Sequence, residues 1–177
     1  MGECGRRVAQ GPRLVVMGVS GCGKTTVGAL LAARLQVPFV DGDSLHPQSN
    51  VDKMRAGIPL TDADRAPWLD RVGATLAQAG DAGIVVACSA LKRVYRDTIL
   101  GSAPTTLFLH LSAPHDLIAK RLGARHGHFM PAALLDSQFA ALEPLAPGES
   151  GWVVDARIAA SAIVDVIERQ LAARGLA

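Results

Sequence analysis

Residues Gly18 to Thr25 read GVSGCGKT, the pattern G-x-x-x-x-G-K-[ST]. Those residue types at that spacing suit the phosphates of a nucleoside triphosphate. The glycines let the backbone curl until several N–H groups point at one anion, and the positive end of a following helix adds to them. Gly18, Val19, Ser20, Gly21, Cys22, Gly23, Lys24, Thr25 and Thr26 are therefore the candidate nucleotide-binding residues. Lys24 is expected to bridge the β- and γ-phosphates of ATP, and the Thr25 hydroxyl to ligate Mg²⁺. A chance glycine turn is the competing reading, and the segments on either side of the loop argue against it.

Asp41-Gly42-Asp43 carries two carboxylates separated by one residue. Phosphoryl transfer needs a carboxylate to orient or deprotonate the acceptor, and oxygen groups for the metal or its waters. Asp41 is assigned to the metal's outer shell and Asp43 to the acceptor hydroxyl, although residue types alone leave open which acts as base. An Asp-Gly turn with solvated carboxylates is the alternative. The stretch 44–66 that follows is polar and poor in apolar residues, so a small helical flap outside the sheet is expected there. Lys53, Arg55 and Arg65 give it cations for an anionic substrate, while His46 either donates to a hydroxyl or caps the backbone.

Further along, Ala87-Cys88-Ser89 ends an apolar run without a carboxylate. Many phosphate-loop proteins place a metal-supporting Asp there, so Thr25 and Asp41 take over that duty. Lys92 and Arg96, four apart, are expected to share a helix face near the acceptor, and Arg93 and Asp97 to form a surface ion pair. His126-Gly127-His128 has no Cys or acidic third ligand nearby, so a hinge at Gly127 is preferred to a zinc site. Cys22, beside Lys24 and a helix start, is a position where a thiol pKa could be lowered. A small side chain that fits the loop is its simpler role.

These residues need elements to hold them. The runs Leu14–Met17, Pro38–Val40, Ile84–Cys88, Thr106–Leu111 and Trp152–Val154 are short, apolar and largely unalternating, as strands of a doubly covered parallel sheet should be. Between them Val27, Leu30, Leu31 and Leu35 keep helical spacing, as do Leu69, Val72 and Leu76 behind Pro67. Pro114 and Pro131 open two further helices, and Ile163, Val166, Ile167 and Leu171 line the last. The expected fold is α/β, a three-layer α/β/α domain of about five parallel strands over residues 12–177. Residues 1–11 read as a flexible leader. Ligands in such sheets bind beyond the carboxyl ends of the strands, where every residue named above falls.

The chain has 177 residues, 49% of them apolar, with a net charge of +2. One domain with a sizeable core fits that length. The near-balanced charge argues against nucleic-acid partners, and no apolar stretch is long enough for a membrane span. Three cysteines, Cys4, Cys22 and Cys88, form no disulfide framework, which fits a reducing, cytoplasmic setting.

The words MGVSGCGKTTVGALLA, VDGDSLHPQSNVDKM, GIPLTDADRAPWL, VACSALKRVYRD, RHGHFMP, LLDSQFAALEP and VVDAR follow one another from about residue 14 to 155. In that order they resemble the small phosphate-loop gluconokinases, relatives in build of shikimate and adenylate kinases. The resemblance implies a P-loop kinase with ATP and Mg²⁺ as cofactors that phosphorylates D-gluconate at its 6-hydroxyl. It also implies a substrate flap, a lid at about 123–131, and a homodimer. Gluconate is a linear polyol with one carboxylate, so its site should combine cations with polar side chains. Asp43, His46, Lys53 and Arg65 are then candidates on one side, and Ser89, Lys92, Arg96 and Gln138 on others. By likeness to the related kinases Arg125 is the lid arginine at the γ-phosphate and Arg121 packs against adenine. A kinase of another small hydroxy acid such as shikimate, or a nucleotide-binding regulatory protein, are the alternatives.

Overall fold

Apolar runs without alternation belong to strands covered on both faces, and the chain builds five of them into one sheet. The structure, a computed structural model, describes residues 11–124 and 132–176. Its strands are β1 (Arg13–Met17), β2 (Phe39–Asp41), β3 (Ile84–Ala87), β4 (Leu107–Ser112) and β5 (Gly151–Asp155), all parallel in the order β2-β3-β1-β4-β5. The helices are α1 (Lys24–Leu35), α2 (Gln48–Arg55), α3 (Asp62–Gln78), α4 (Arg93–Ser102), α5 (His115–Gly123), α6 (Ala132–Ala141) and α7 (Ala160–Ala173).

The period-two geometry of β1 divides the core. Leu14 and Val16 face one layer, packed with residues of α1, α5, α6 and α7, while Val15 and Met17 face the other, packed with α3 and α4. All four are fully buried. This is the expected three-layer α/β/α sandwich, with strand ends within two residues of the apolar runs. Among the described residues no helix is long and apolar enough to cross a membrane.

Two expectations change. Pro67 does not open a helix: α3 begins at Asp62, with Thr61 as its N-cap and Pro67 inside. The Thr61 hydroxyl accepts from the Asp64 amide while the Asp64 carboxylate accepts from the Thr61 amide, a reciprocal capping box that starts the helix earlier. The proline then falls in the second turn, where it forgoes the amide bond that position would make to the Ala63 carbonyl. The flap therefore comprises a 3₁₀ turn (Gly42–Leu45), α2 and an irregular stretch that reaches Thr61. Residues 1–10 of the expected leader and 125–131 of the expected lid lie outside the described residues.

Gly151 starts β5 at φ +153°, and a Cβ there would overlap the Phe108 backbone of β4. Gly151→Ala should lower unfolding free energy by about 2–3 kcal/mol, the cost of forcing a strand pair apart. Urea unfolding with an unchanged m-value checks it.

Candidate active site

The glycine loop lies between the buried end of β1 and the first turn of α1. Gly18, Gly21 and Gly23 all hold positive φ. A Cβ at Gly21 would meet the Leu122 side chain at 2.7 Å, so α5 packs directly on the loop. The N-cap of α1 is Gly23, which has no side-chain cap, so the first helical amides face outward for an anion. Lys24 Nζ donates to the Val19 carbonyl at 3.0 Å, folding the lysine back across the loop. The Gly18 amide donates to the Ser89 carbonyl, joining the loop to the end of β3.

The sheet order sets β2 beside β3, and Asp41 pairs with Ala87 in register. Asp41 therefore emerges next to the loop. One of its carboxylate oxygens accepts from Thr25 Oγ1 at 3.0 Å and the other from the Asp43 amide at 3.1 Å. Gly42 between the aspartates is obligatory for packing, since a Cβ there would stand 2.5 Å from the Ala87 carbonyl oxygen. Asp43 is exposed at the mouth of the site. Thr25, Asp41 and Asp43 thus form one continuous edge. Among the described residues no three His, Cys, Asp or Glu side chains cluster as a metal cage, so a divalent ion here would rest on these oxygens together with phosphate and water.

Two of the flap cations, Lys53 and Arg65, are paired, while Arg55 stands exposed. Lys53 Nζ sits 2.6 Å from Asp64, and that bond, with two from Thr61, draws the Asp64 carboxyl down to about 2. Lys92 Nζ reaches both Asp62 oxygens at 3.0 and 2.8 Å. The Tyr95 hydroxyl donates to the same carboxylate, and Arg65 lies 3.7 Å away. Arg65 and Lys92 both stand over the Tyr95 ring. These two cations, brought together by α3 and the start of α4, share the Asp62 carboxylate between them.

Arg96 is not part of that group. It is 0% exposed, and its guanidinium binds Glu149 through Nε at 2.6 Å and Nη2 at 2.9 Å. Its Nη1 donates to the carbonyls of Ala90, Leu91 and Glu143. The expected helix face shared with Lys92 fails because Lys92 is only the N-cap of α4. Arg96 instead clamps the Ser89–Leu91 loop, where Ala90 holds φ +41°, a left-handed conformation that costs about 1–2 kcal/mol without glycine.

Gln138 Oε1 accepts from the Ser20 amide at 2.7 Å, so α6 reaches the phosphate loop itself. Cys22 is buried, and burial raises its thiol pKa against the weaker pull of Lys24, reversing the expected lowering. Burial likewise pushes Cys88 up to about 12. Arg121 stands close enough to act on Cys22, hence beside the loop. Asp155 accepts from the backbone and side chain of Arg157, which holds its carboxyl at about 2. Arg93 and Asp97 form the expected exposed pair at 3.7 Å. Arg125, His126, Gly127 and His128 lie outside the described residues.

Sequence reasoning missed Asp62, Asp64, Tyr95, Glu149 and Asn50. Thr61-x-x-Asp64 had a readable capping signature, and Asn50 follows His46 by one helical turn. Glu149 carried no local signal, because its partner is 53 residues away.

The family model described as shikimate kinase matches residues 20–143. A gluconokinase of Gluconobacter oxydans (strain 621H) is 49% identical over 160 residues, covering 89% of this chain and 88% of that protein. The crystal structure of a gluconokinase from Sinorhizobium meliloti 1021 superposes with a TM-score of 0.86 at 42% identity, covering 94% of each chain. A shikimate kinase from Bacteroides thetaiotaomicron covers 91% of this chain and 98% of its own, but with a TM-score of 0.64 at 20% identity it shares the fold alone.

Glu149 is held below its ordinary value of 4.5, first by the hydrogen bonds from Arg96. A depressed carboxyl contributes stability above its unfolded pKa and loses it as pH falls through the folded value. Arg96→Leu should therefore cost about 3–5 kcal/mol at neutral pH, because Glu149 is left buried and unpaired. The gap to wild type should narrow as pH falls, first above 4.5 where the buried Glu149 of the variant protonates without its arginine. It should narrow further below 4.5 as the wild-type carboxylate loses the pairing that holds it down. Denaturant unfolding across pH checks both statements.

Proposed function

Because this chain belongs to the gluconokinase family, we propose that it transfers the γ-phosphoryl group of ATP to the 6-hydroxyl of D-gluconate, releasing ADP and 6-phospho-D-gluconate. The observation that carries the site assignment is the Asp41 carboxylate bonded to Thr25 on one side and to Asp43 on the other. It sets an acceptor carboxylate directly against a phosphate loop.

Each residue has a task set by its surroundings. The loop amides and the N-terminus of α1 bind the phosphates, and Lys24 swings from the Val19 carbonyl to the β- and γ-oxygens. Thr25 Oγ1 and Asp41 would hold Mg²⁺ beside the loop. When bound, that ion would supply charge neutralisation to the phosphates. Asp43 accepts the hydrogen of the 6-hydroxyl, orients that oxygen and takes its proton as the bond to phosphorus forms. Arg65 and Lys92 answer the substrate carboxylate, and His46 and Ser89 answer its hydroxyls. Gln138 holds Ser20 from the α6 side. Arg121 borders the adenine, and Arg125 stabilises charge on the transferring group. Arg96 has no contact with substrate in this reading, because it is fully buried and its guanidinium is bound to Glu149 and three backbone carbonyls.

Shikimate as acceptor has behind it the family model over residues 20–143 and a fold shared at 20% identity, against gluconokinase relatives at 42–49%. A purely regulatory nucleotide binder has no use for the Asp43 edge. Supplying gluconate, shikimate, other sugar acids and AMP one at a time in a coupled ADP-release assay separates these readings. Turnover with gluconate is expected. Turnover with shikimate or AMP and none with gluconate would overturn the proposal.

Two substitutions test the mechanism. Lys24→Ala should abolish transfer. Asp43→Asn should lower kcat about 10²–10⁴-fold, the usual worth of a positioned acid–base group, while ATP affinity stays within about twofold. A near-normal kcat in the Asp43 variant would show that the acceptor hydroxyl needs no carboxylate at this position.

A further inference from the structure

Asn50 is 2% exposed, a buried amide in the first turn of α2 that the phosphoryl-transfer steps leave unused. Its Nδ2 donates to the Asp64 carbonyl at 2.8 Å. A carbonyl oxygen only accepts, so turning the amide over would set two acceptors against each other. The nitrogen is thus assigned by chemistry. That same Nδ2 lies 3.3 Å from His46 Nδ1. An NH₂ group brings only hydrogens to the contact, so Nδ1 must present its lone pair and the ring proton must sit on Nε2.

The ring plane is fixed separately. His46 stacks on Trp68 with centroids 4.3 Å apart and planes inclined by 14°. Trp68 is itself buried, with its indole N–H bonded to the Gly42 carbonyl at 2.7 Å, inside the Asp41–Asp43 turn. Stacking sets the plane and Asn50 sets the rotation within it. Among the described residues no acceptor lies within hydrogen-bond reach of Nε2.

We infer that Asn50 is a positioning residue that locks His46 as the neutral Nε2–H tautomer, making His46 a fixed hydrogen-bond donor to a hydroxyl oxygen of gluconate. This rests on the function proposed above and adds which atom of His46 meets the substrate, and in which protonation state. The charged groups acting on the ring are Asp43 from the 3₁₀ turn and Arg65 from α3, which oppose each other. Burial, the largest influence, acts with Arg65 against Asp43 and lowers the imidazole below its ordinary value. The neutrality has a purpose in the geometry. An imidazolium beside Asp43 would attract the carboxylate of gluconate to the reacting end, the end that must present the 6-hydroxyl. A neutral donor accepts a hydroxyl there and leaves the carboxylate to Arg65 and Lys92.

Long-range ¹H–¹⁵N correlation spectra of the full chain with ¹⁵N-labelled histidine test this directly, with His46→Gln used to assign its signals. The expected spectrum at neutral pH shows His46 with an unprotonated Nδ1 and a protonated Nε2 whose signal moves when gluconate is added. Asn50→Asp replaces the donor by an acceptor for Nδ1–H. It should draw the ring proton to Nδ1, so that the neutral ring offers only a lone pair at Nε2. In that neutral form it should raise the gluconate KM about tenfold, the worth of one hydrogen bond, and leave the ATP KM unchanged. It should also give the gluconate KM a titration near neutral pH that the wild type lacks. An Nδ1–H or doubly protonated ring in an active wild-type enzyme would overturn the inference, as would an Asn50→Asp enzyme with wild-type gluconate KM. If that variant fails to fold, the wild-type spectrum still decides the tautomer. A wild-type protein that turned over no gluconate would instead overturn the functional reading.

Discussion

The Asp41 carboxylate is the joint on which the rest of the site turns. A carboxylate has two oxygens, and here each is committed to a different half of the molecule: one to the Thr25 hydroxyl on α1, the other to the Asp43 amide in the 3₁₀ turn. The sheet makes this possible. With β3 inserted between β2 and β1, the end of β2 emerges one strand away from the glycine loop, at the distance a side chain spans. Gly42 then lets the turn lie flat on the Ala87 carbonyl, and Trp68 fastens it from above. The phosphate-loop helix and the Asp43 turn are therefore joined through one side chain. A shift of the β2–β3 register by one residue would break it, because Asp41 would turn to the opposite face of the sheet.

Charge pairing is the second organising constraint. Lys53 with Asp64, Lys92 with Asp62 and Arg96 with Glu149 tie successive segments to one another. Their energetic meaning differs with burial. Arg96 and Glu149 are removed from water, so each is costly without the other and the pair fixes the Ser89–Leu91 loop in a single arrangement. Lys53 and Lys92 remain partly solvated, and their bonds orient side chains more than they stabilise the fold. Orientation is what a substrate site requires. Lys92 and Arg65 are already aimed and partly desolvated against Tyr95, so less ordering remains to be done when an acid binds.

The glycine loop, the strands and the Asp-Gly-Asp edge could be read from sequence because their signals are local: a fixed spacing, a run of apolar residues, a turn-prone dipeptide. Arg96 was misplaced for the opposite reason. Four-residue spacing puts it near Lys92, but its true partner arrives from a loop 53 residues later, and no local pattern distinguishes a buried arginine from a substrate-facing one. The start of α3 was misjudged because the familiar rule for proline at a first turn outweighed the weaker Thr61–Asp64 cap. The Cys22 thiol shows a competition of magnitudes. Lys24 and the helix start do lower its pKa, but burial raises it further. Neighbours in sequence reveal the charges, while only the fold reveals the desolvation.

The two halves of the site are built from different materials. The loop rests on fully buried β1, and Gly21 lies under Leu122 and Ile118 of α5, so the loop is braced by the core at that point. The acceptor half has almost no apolar core of its own. In α2 the buried residue is Asn50, and Met54 and Ile58 stand exposed at 45% and 52%. What holds the flap is a set of polar bonds: Asn50 to Asp64 and His46, Lys53 to Asp64, and the Thr61 cap. Local opening of such a segment costs far less than opening the sheet, since it exposes little apolar surface. A chain that must admit a flexible polyol and then align one hydroxyl is served by that division. In the proposed reaction the donor side would stay in place, while the side proposed to select the acceptor is held by hydrogen bonds that open at lower cost than the sheet.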